Sequence, residues 1–137
     1  MRRIISVLIV CVMLLPAVCV ADRQTSESGK QMADGAAEML SAMIKVYDFG
    51  VEFKEDQANK LYEYILLYCT GYIMYFCESE YSTLEMRKEL AKGYAGVIEY
   101  NCKAYQDYAD GKISLKVYVG NTINMVRAFV DNDASRD

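Results

Sequence analysis

Histidine and tryptophan are absent from this chain of 137 residues, and its only proline is Pro16. Without histidine the chain lacks the imidazole that most often activates a serine or cysteine nucleophile, and it also lacks the commonest metal ligand. We therefore predict no catalytic residue, no metal site and no cofactor, and we expect a protein that is not an enzyme. The absence of proline after residue 16 favours long, uninterrupted helices.

Charge is also absent from residues 4–21, which follow a short basic start. A basic start, an apolar run and small residues at a cleavage site, here Cys19 and Ala21, are the pattern of an export signal. An uncleaved membrane anchor is the alternative, because about 18 apolar residues just span a bilayer. Pro16 favours cleavage after Ala21, and the bulky Val18 disfavours a lipid anchor on Cys19. We expect a periplasmic or secreted protein with no stable membrane insertion after cleavage.

Acidic residues outnumber basic ones in the segment that remains after cleavage. Residues 1–21 contain two of the 15 basic residues and none of the 19 acidic ones, so their removal changes the net charge from −4 to −6. A negative protein is repelled by phosphate backbones, so we predict no nucleic-acid partner. The remainder suffices for one domain with a modest core. We predict a flexible leader over residues 22–30, a single helical domain over 31–131 and a polar tail over 132–137.

Two long helices are predicted in the first half of the domain. The first covers about Met32–Phe49, and Gly50 marks its end because glycine favours the left-handed conformation that follows many helices. The second covers about Gln57–Phe76, is uncharged over residues 64–77 and is therefore predicted to lie at the centre of a bundle. Gly71 within it costs about 1 kcal/mol relative to alanine, which predicts a closely packed neighbouring backbone. The core-facing stripe of the first helix is Ala33, Ala37, Leu40, Ile44 and Tyr47.

A capping-box pattern marks the start of the third helix. It places Ser82 at the N-cap and Glu85 three residues later, and the helical pattern continues toward Tyr108, with Gly111 as its stop. The apolar residues of Ile113–Asp131 alternate at first like a strand but fit a helical stripe over the whole window. A lone strand would have no partner, so the helix is favoured. The predicted fold is all-α, a small antiparallel bundle of four to five helices after a cleaved N-terminal signal peptide.

Three of the five cysteines lie in the predicted domain, so an oxidising compartment would allow one disulfide. Cys69 and Cys77 are about 12 Å apart along one predicted helix, beyond the Cα separation of about 7 Å that a disulfide allows. Any bridge must therefore include Cys102. A third helix that breaks at Gly93 and Gly96 would return Cys102 toward Cys77, which favours a Cys77–Cys102 bridge. The alternatives are a Cys69–Cys102 bridge and three unbridged thiols.

Tyrosine is the most distinctive enrichment, with twelve in the chain. A buried tyrosine contributes a large ring but needs a partner for its hydroxyl, so tyrosine favours interfaces and the wet edges of pockets. Binding hot spots are also rich in tyrosine. A tyrosine-rich core is the alternative for each single residue, but so many rings are difficult to bury in a small domain. The sequence therefore predicts a partner-binding face made of Tyr62, Tyr64, Tyr68, Tyr72, Tyr75, Tyr94 and Tyr100.

The segment Tyr68–Ile73, with the sequence Tyr-Cys-Thr-Gly-Tyr-Ile, and the cysteine Cys77 that follows it resemble small periplasmic immunity proteins of type VI secretion systems. That resemblance implies a helical, exported protein that binds and blocks a peptidoglycan amidase effector delivered by a neighbouring cell. The chain departs from the pattern of that family, because no proline lies beside Cys77 and the last cysteine, Cys102, lies well before the C-terminus. The resemblance covers a short part of the chain and assigns no binding residue.

These observations together favour an exported, non-enzymatic binding protein of the cell envelope. Its sharpest form is an inhibitor or immunity protein that blocks a protein partner such as a cell-wall hydrolase effector. An acidic surface suits a basic partner, and tyrosine-rich helix faces would supply the anchors. A small periplasmic stress chaperone is one alternative, and a carrier of a small apolar ligand in a Tyr- and Met-rich interior is another.

Overall fold

Four helices make up the part of the chain that the computed structural model describes, residues 23–78 and 83–134. They are α1 (Arg23–Asp48), α2 (Glu55–Glu78), α3 (Leu84–Ala109) and α4 (Leu115–Ala134). No strand occurs within these described ranges, so the prediction of an all-α fold is confirmed for them. The predicted signal peptide of residues 1–21 lies outside them.

Glycines allow α1 and α2 to pack with their backbones in close contact. A Cβ atom on Gly71 would lie 2.5 Å from the carbonyl oxygen of Gly29 and 2.8 Å from the amide nitrogen of Ala33. A Cβ atom on Gly29 would lie 2.8 Å from the carbonyl oxygen of Gly71. Only glycine permits this approach, because any larger residue would collide with backbone atoms. The prediction that Gly71 marks a closely packed neighbouring backbone is therefore confirmed.

The first helix is longer than the sequence pattern predicts. α1 begins at Arg23, so residues 23–30, which were predicted to be a flexible leader, are helical. Gly29 in this segment is buried against α2, and the Lys30 ammonium lies 5.7 Å from the centroid of the Tyr75 ring. The pattern missed this turn because its closest contact with α2 is made by a glycine, which adds nothing to an apolar stripe.

α2 lies between α1 and α3, and α4 contacts all three other helices. Near the start of α2, the side-chain oxygen of Asn59 accepts a hydrogen bond from the hydroxyl of Tyr105, near the end of α3. Near the end of α2, the carbonyl oxygen of Cys77 accepts one from the guanidinium of Arg87, near the start of α3. The two helices are therefore antiparallel. The largest fully buried apolar side chains of the shared core are Leu40, Leu61, Ile65, Tyr68, Tyr118, Ile123 and Val126.

α1 and α3 end at the glycines that the sequence predicts. The φ angle is 79° at Gly50 and 72° at Gly111, in the left-handed region that favours glycine. Beyond Gly50, the amide of Val51 donates to the carbonyl oxygen of Val46 at 3.4 Å, which completes a Schellman motif, and α3 ends with the same motif. These bonds satisfy carbonyl groups that the end of a helix leaves without partners.

α3 begins one residue later than the predicted capping box implies. Thr83 is the N-cap, since its backbone is extended and its hydroxyl oxygen accepts a hydrogen bond from the amide of Met86 at 3.2 Å. The predicted N-cap, Ser82, lies outside the described residues. With Thr83 as the N-cap, the third position of the helix is Met86 and not Glu85. A capping box cannot form there, because a methionine side chain does not replace the glutamate carboxylate that accepts a hydrogen bond from the N-cap amide.

The segment Ile113–Asp131, for which the sequence pattern fitted both a strand and a helix, is helical from Leu115 onward. α4 covers Leu115–Ala134, and its N-cap is Ser114, whose hydroxyl oxygen accepts a hydrogen bond from the amide of Val117 at 3.3 Å. Residues 132–134, which were predicted to belong to a polar tail, form the end of this helix. The stripe predicted for the helix is buried at Val119, Ile123, Val126 and Val130.

Neither predicted disulfide is formed among the described cysteines. Cys102 lies beside Tyr62, whose hydroxyl oxygen is 3.5 Å from its Sγ, whereas Cys77 lies beside Arg87 at the other end of α2. Arg87 and Cys102 are about 22 Å apart along α3 at 1.5 Å per residue. The Cys77–Cys102 prediction is therefore wrong, and Cys69–Cys102 is not formed either.

The disulfide prediction fails because α3 does not break. The helix continues through Gly93 and Gly96, both of which are exposed and would meet no other atom with an added Cβ. Two helical glycines cost about 1 kcal/mol each relative to alanine. Burial of Tyr94 and Val97, which face the core from the same turns, offsets that cost.

Candidate functional site

The seven tyrosines predicted as a partner-binding face do not form a single surface. Tyr68 and Tyr94 are only 0% and 3% exposed, so the structure assigns these two to the core and corrects the prediction for them. Tyr100 is exposed. The other four are half-buried, with part of each side chain accessible: Tyr62, Tyr64, Tyr72 and Tyr75.

One cluster of these rings joins α2, α3 and α4. The Tyr94 ring is stacked on Tyr72 at a centroid distance of 5.3 Å and meets Tyr68 edge-on at 5.9 Å. Phe76 and Phe129 lie within 6.0 Å of the same ring. Aromatic pairs contribute about 0.5–1.5 kcal/mol beyond the area they bury, so this cluster stabilises the helix packing.

A second tyrosine cluster is polar and holds the other end of α2 and α3 against α4. Asn101 is fully buried, and its amide donates to the carbonyl oxygen of Tyr62 at 3.3 Å while its side-chain oxygen accepts from the hydroxyl of Tyr118 at 3.1 Å. The Tyr105 ring packs on that of Tyr62 at 4.6 Å, and its hydroxyl donates to Asn59 at 2.7 Å. Buried hydroxyls and amides therefore satisfy one another here, as a buried polar network requires.

Two buried hydroxyls of α4, those of Tyr118 and Thr122, differ in their hydrogen bonding. Burial raises the pKa of Tyr118 far above its usual range, so the phenol stays neutral and serves as a hydrogen-bond donor. Thr122, one turn further along, is 0% exposed and close enough to oppose the rise in the pKa of Tyr118. The hydroxyl of Thr122 nevertheless meets no group at hydrogen-bonding geometry. In both clusters the rings pack mainly against other rings of the bundle, so these tyrosines serve the helix packing.

Neither metal binding nor membrane crossing has support in the described ranges. Within residues 23–78 and 83–134, no three potential ligands among histidine, cysteine, aspartate and glutamate are grouped so that they could hold a metal ion. The helices of the same ranges are all too short or too polar to cross a membrane.

A cavity of about 580 Å³ opens between the α1–α2 loop and the start of α4. Its floor contains the buried side chains of Phe53 and Val119. Tyr47 forms a wall and meets Phe53 edge-on, with ring centroids 6.2 Å apart. The lining consists of Tyr47, Asp48, Gly50, Val51, Glu52, Phe53, Leu115, Lys116 and Val119.

Contacts between α1 and α4 hold the wall of this cavity in place. The guanidinium of Arg127 donates to both carboxylate oxygens of Asp48, at 2.6 and 3.1 Å, and this pairing raises the pKa of Arg127. A Cβ atom on Gly120 would lie 3.1 Å from the hydroxyl of Tyr47, so glycine lets Tyr47 pack against α4. A bidentate pair of this kind fixes orientation as well as position, and the cavity is therefore preformed.

The rim of the cavity carries two opposite charges that the fold does not use. Glu52 lies on the loop side and Lys116 on the first turn of α4, and both side chains are exposed. Neither makes an ion pair with another described residue, in contrast to Asp48. The rim therefore presents one carboxylate and one ammonium to a bound molecule.

Phe49 lies beside the cavity and is directed into solvent. It is 87% exposed, the largest value among the large apolar side chains described as exposed, and it lies between the lining residues Asp48 and Gly50. Val51 and Val117 are also exposed at this end of the bundle. A preformed cavity beside a protruding aromatic ring is the arrangement expected of a binding surface. We refer to Phe49, Val51, Val117 and the cavity lining as the loop-end surface.

Sequence analysis did not identify the loop-end surface. One signal was available: Phe49 precedes the glycine that ends α1 and falls outside the stripe through Tyr47, so it is an aromatic residue with no core position. The sequence gave no such signal for Lys116 and Arg127, because only the packing of α4 brings these two residues close to the α1–α2 loop.

No family model, curated protein or solved structure matches this chain. Its function is therefore inferred from its own residues.

Proposed function

We propose that the chain is an exported, non-enzymatic binding protein of the cell envelope that inhibits a protein partner through its loop-end surface. Its sharpest form is an immunity protein against a secreted cell-wall hydrolase. The observation that carries the proposal is the Phe49 ring, 87% exposed beside a preformed cavity. An aromatic side chain in that position loses solvent-exposed apolar area only when a partner covers it.

The backbone at Phe49 favours binding because it is ordered before a partner arrives. The amide of Phe49 donates to the carbonyl oxygen of Lys45 at 3.0 Å, and the Schellman motif at Gly50 closes the turn behind it. Ordering a loop on binding lowers affinity, whereas a preformed loop avoids that cost. A rigid aromatic residue at the end of a bundle has the shape required to enter a cleft of a partner.

Charge around Phe49 indicates a basic partner. Residues 48–56 carry four exposed acidic side chains and one exposed basic side chain. Arg127 pairs with Asp48, so the charges that remain in this segment are those of Glu52, Glu55, Asp56 and Lys54. The whole chain has a net charge of −4. Negative potential around an apolar anchor accelerates association with a positive surface and disfavours acidic competitors.

The segment that resembles the immunity proteins belongs to the packed core of the bundle and not to the loop-end surface. Tyr68, Cys69 and Ile73 of this segment are buried, and Gly71 packs against α1. The resemblance therefore supports the proposal through the helical framework. The contact residues that we propose lie beyond the start of α2, which is about 20–27 Å from this segment along the helix at 1.5 Å per residue.

The test is affinity capture from envelope extracts, followed by a peptidoglycan hydrolysis assay on the captured protein. We expect the wild-type chain to retain a basic hydrolase and to suppress its activity. Phe49→Ser should weaken the affinity about thirtyfold, which corresponds to about 2 kcal/mol at a hot spot. Leu84→Ser is the matched control, because Leu84 is also exposed, at 66%, but lies at the opposite end of the bundle.

Two outcomes would contradict the proposal. Retention by Phe49→Ser combined with loss by Leu84→Ser would move the contact to the other end of the bundle. A captured partner whose activity is unchanged by saturating wild-type chain would exclude inhibition.

A further inference from the structure

The cavity has features of a small-molecule site that the contact at Phe49 does not require. Its volume of about 580 Å³ lies within the range of ligand pockets, about 300–1,000 Å³. Its floor of Phe53 and Val119, with Tyr47 and Leu115 at the sides, offers an apolar surface to a ligand. Such a floor selects an apolar body, and the polar groups around it select the ends of the ligand.

The rim charges restrict the ligand further. Asp48 is neutralised by Arg127, which leaves Glu52 and Lys116 as the charged lining groups without an ion pair among the described residues. A fatty acid would pair with Lys116 and leave Glu52 facing its apolar chain. An apolar amine would do the opposite. A ligand that carries an ammonium and a carboxylate at the ends of an apolar body can form an ion pair with each of the two groups.

We propose that this cavity binds a short zwitterionic peptide with apolar side chains, of the size of a dipeptide. The apolar side chain lies over Phe53 and Val119, the free ammonium pairs with Glu52, and the free carboxylate pairs with Lys116. The proposal needs no protein partner, so it extends beyond the inhibition proposed above.

Calorimetric titration of the full chain with defined dipeptides tests this proposal. We expect leucyl-phenylalanine to bind at millimolar concentration or tighter, and glycyl-glycine, which lacks the apolar side chains, to bind much more weakly. N-acetylation removes the ammonium and C-terminal amidation removes the carboxylate. Each change should weaken binding about two- to fivefold, the effect of losing one exposed ion pair.

Two substitutions at the rim assign each terminus to its residue. Glu52→Gln should weaken binding of the free dipeptide by the same factor but leave binding of the N-acetylated form unchanged. Lys116→Met should weaken binding of the free dipeptide but leave binding of the amidated form unchanged. Glu85→Gln and Lys88→Met are the matched controls, because both residues are exposed at the start of α3 and lie far from the cavity. Helicity measured by circular dichroism confirms that each variant is folded.

The outcomes separate this site from the contact at Phe49. Leu84→Ser should keep full affinity for the dipeptide, since Leu84 lies at the opposite end of the bundle. Absence of heat and of any thermal shift with leucyl-phenylalanine would overturn the site and leave the protein contact intact. Equal binding of glycyl-glycine, or affinity that is unchanged by both rim substitutions, would also overturn it.

Discussion

At the scale of single residues, the side-chain oxygen of Thr122 is expected to lower the stability of the fold. Its hydroxyl is fully buried and has no hydrogen-bond partner among the described residues, while the neighbouring Tyr118 donates its own proton to Asn101. A buried hydroxyl without a partner costs about 1–3 kcal/mol. Thr122→Val keeps the shape of the side chain and removes that hydroxyl, so we expect the free energy of unfolding to rise by about 1 kcal/mol in urea denaturation.

Tyr118→Phe is the opposite change one turn earlier. It removes the donor to Asn101 and leaves a buried acceptor without a partner, which should lower the free energy of unfolding by about 1–3 kcal/mol. If both variants lose stability equally, the Thr122 hydroxyl has a partner in solution, and this account of the polar cluster is incorrect.

At the scale of the helices, the contact between α1 and α2 depends on glycine. A side chain at residue 71 would push its Cβ against backbone atoms of Gly29 and Ala33, which cannot rotate away. We expect Gly71→Ala to lower the free energy of unfolding by about 1–3 kcal/mol, because overpacking outweighs the better helix propensity of alanine. Chemical denaturation monitored by circular dichroism measures the change.

Gly96→Ala provides the control for this prediction. Gly96 is also inside a helix, but an added Cβ there meets nothing, so alanine should raise the free energy of unfolding by about 0.5–1 kcal/mol. Equal gains from Gly71→Ala and Gly96→Ala would mean that α1 and α2 are further apart than the structure shows.

The whole molecule is held together by packing and not by a bridge among Cys69, Cys77 and Cys102. We therefore expect dithiothreitol to leave the midpoint of thermal unfolding of the described domain unchanged. A bridge between Cys77 and Cys102 would close a loop of about 25 residues and contribute roughly 3 kcal/mol. A clear fall of the midpoint under reducing conditions would therefore contradict the continuous α3, since only a broken helix brings these two residues together.

Local chemistry determined much of the helical structure of this protein, and the sequence by itself predicted the approximate position of each helix. Gly50 and Gly111 end α1 and α3 because the left-handed turn that closes a helix is a property of a few adjacent residues. Gly71 predicted a close neighbour because glycine in an apolar helix is costly without one. Boundaries were less predictable where side chains give little pattern, as at the start of α1, where Gly29 makes the closest contact with α2.

Only the tertiary structure decided which residues meet across the helices. A tyrosine on a helix becomes a surface contact residue or a core residue depending on whether a neighbouring helix covers it. Packing of α3 on α2 buries Tyr68 and Tyr94. The loop-end surface likewise exists because α4 brings Lys116 and Arg127 to a loop near residue 50. Spacing along one helix carries no information on these pairings, because they depend on the relative placement of whole helices and on the shape of the space left between them.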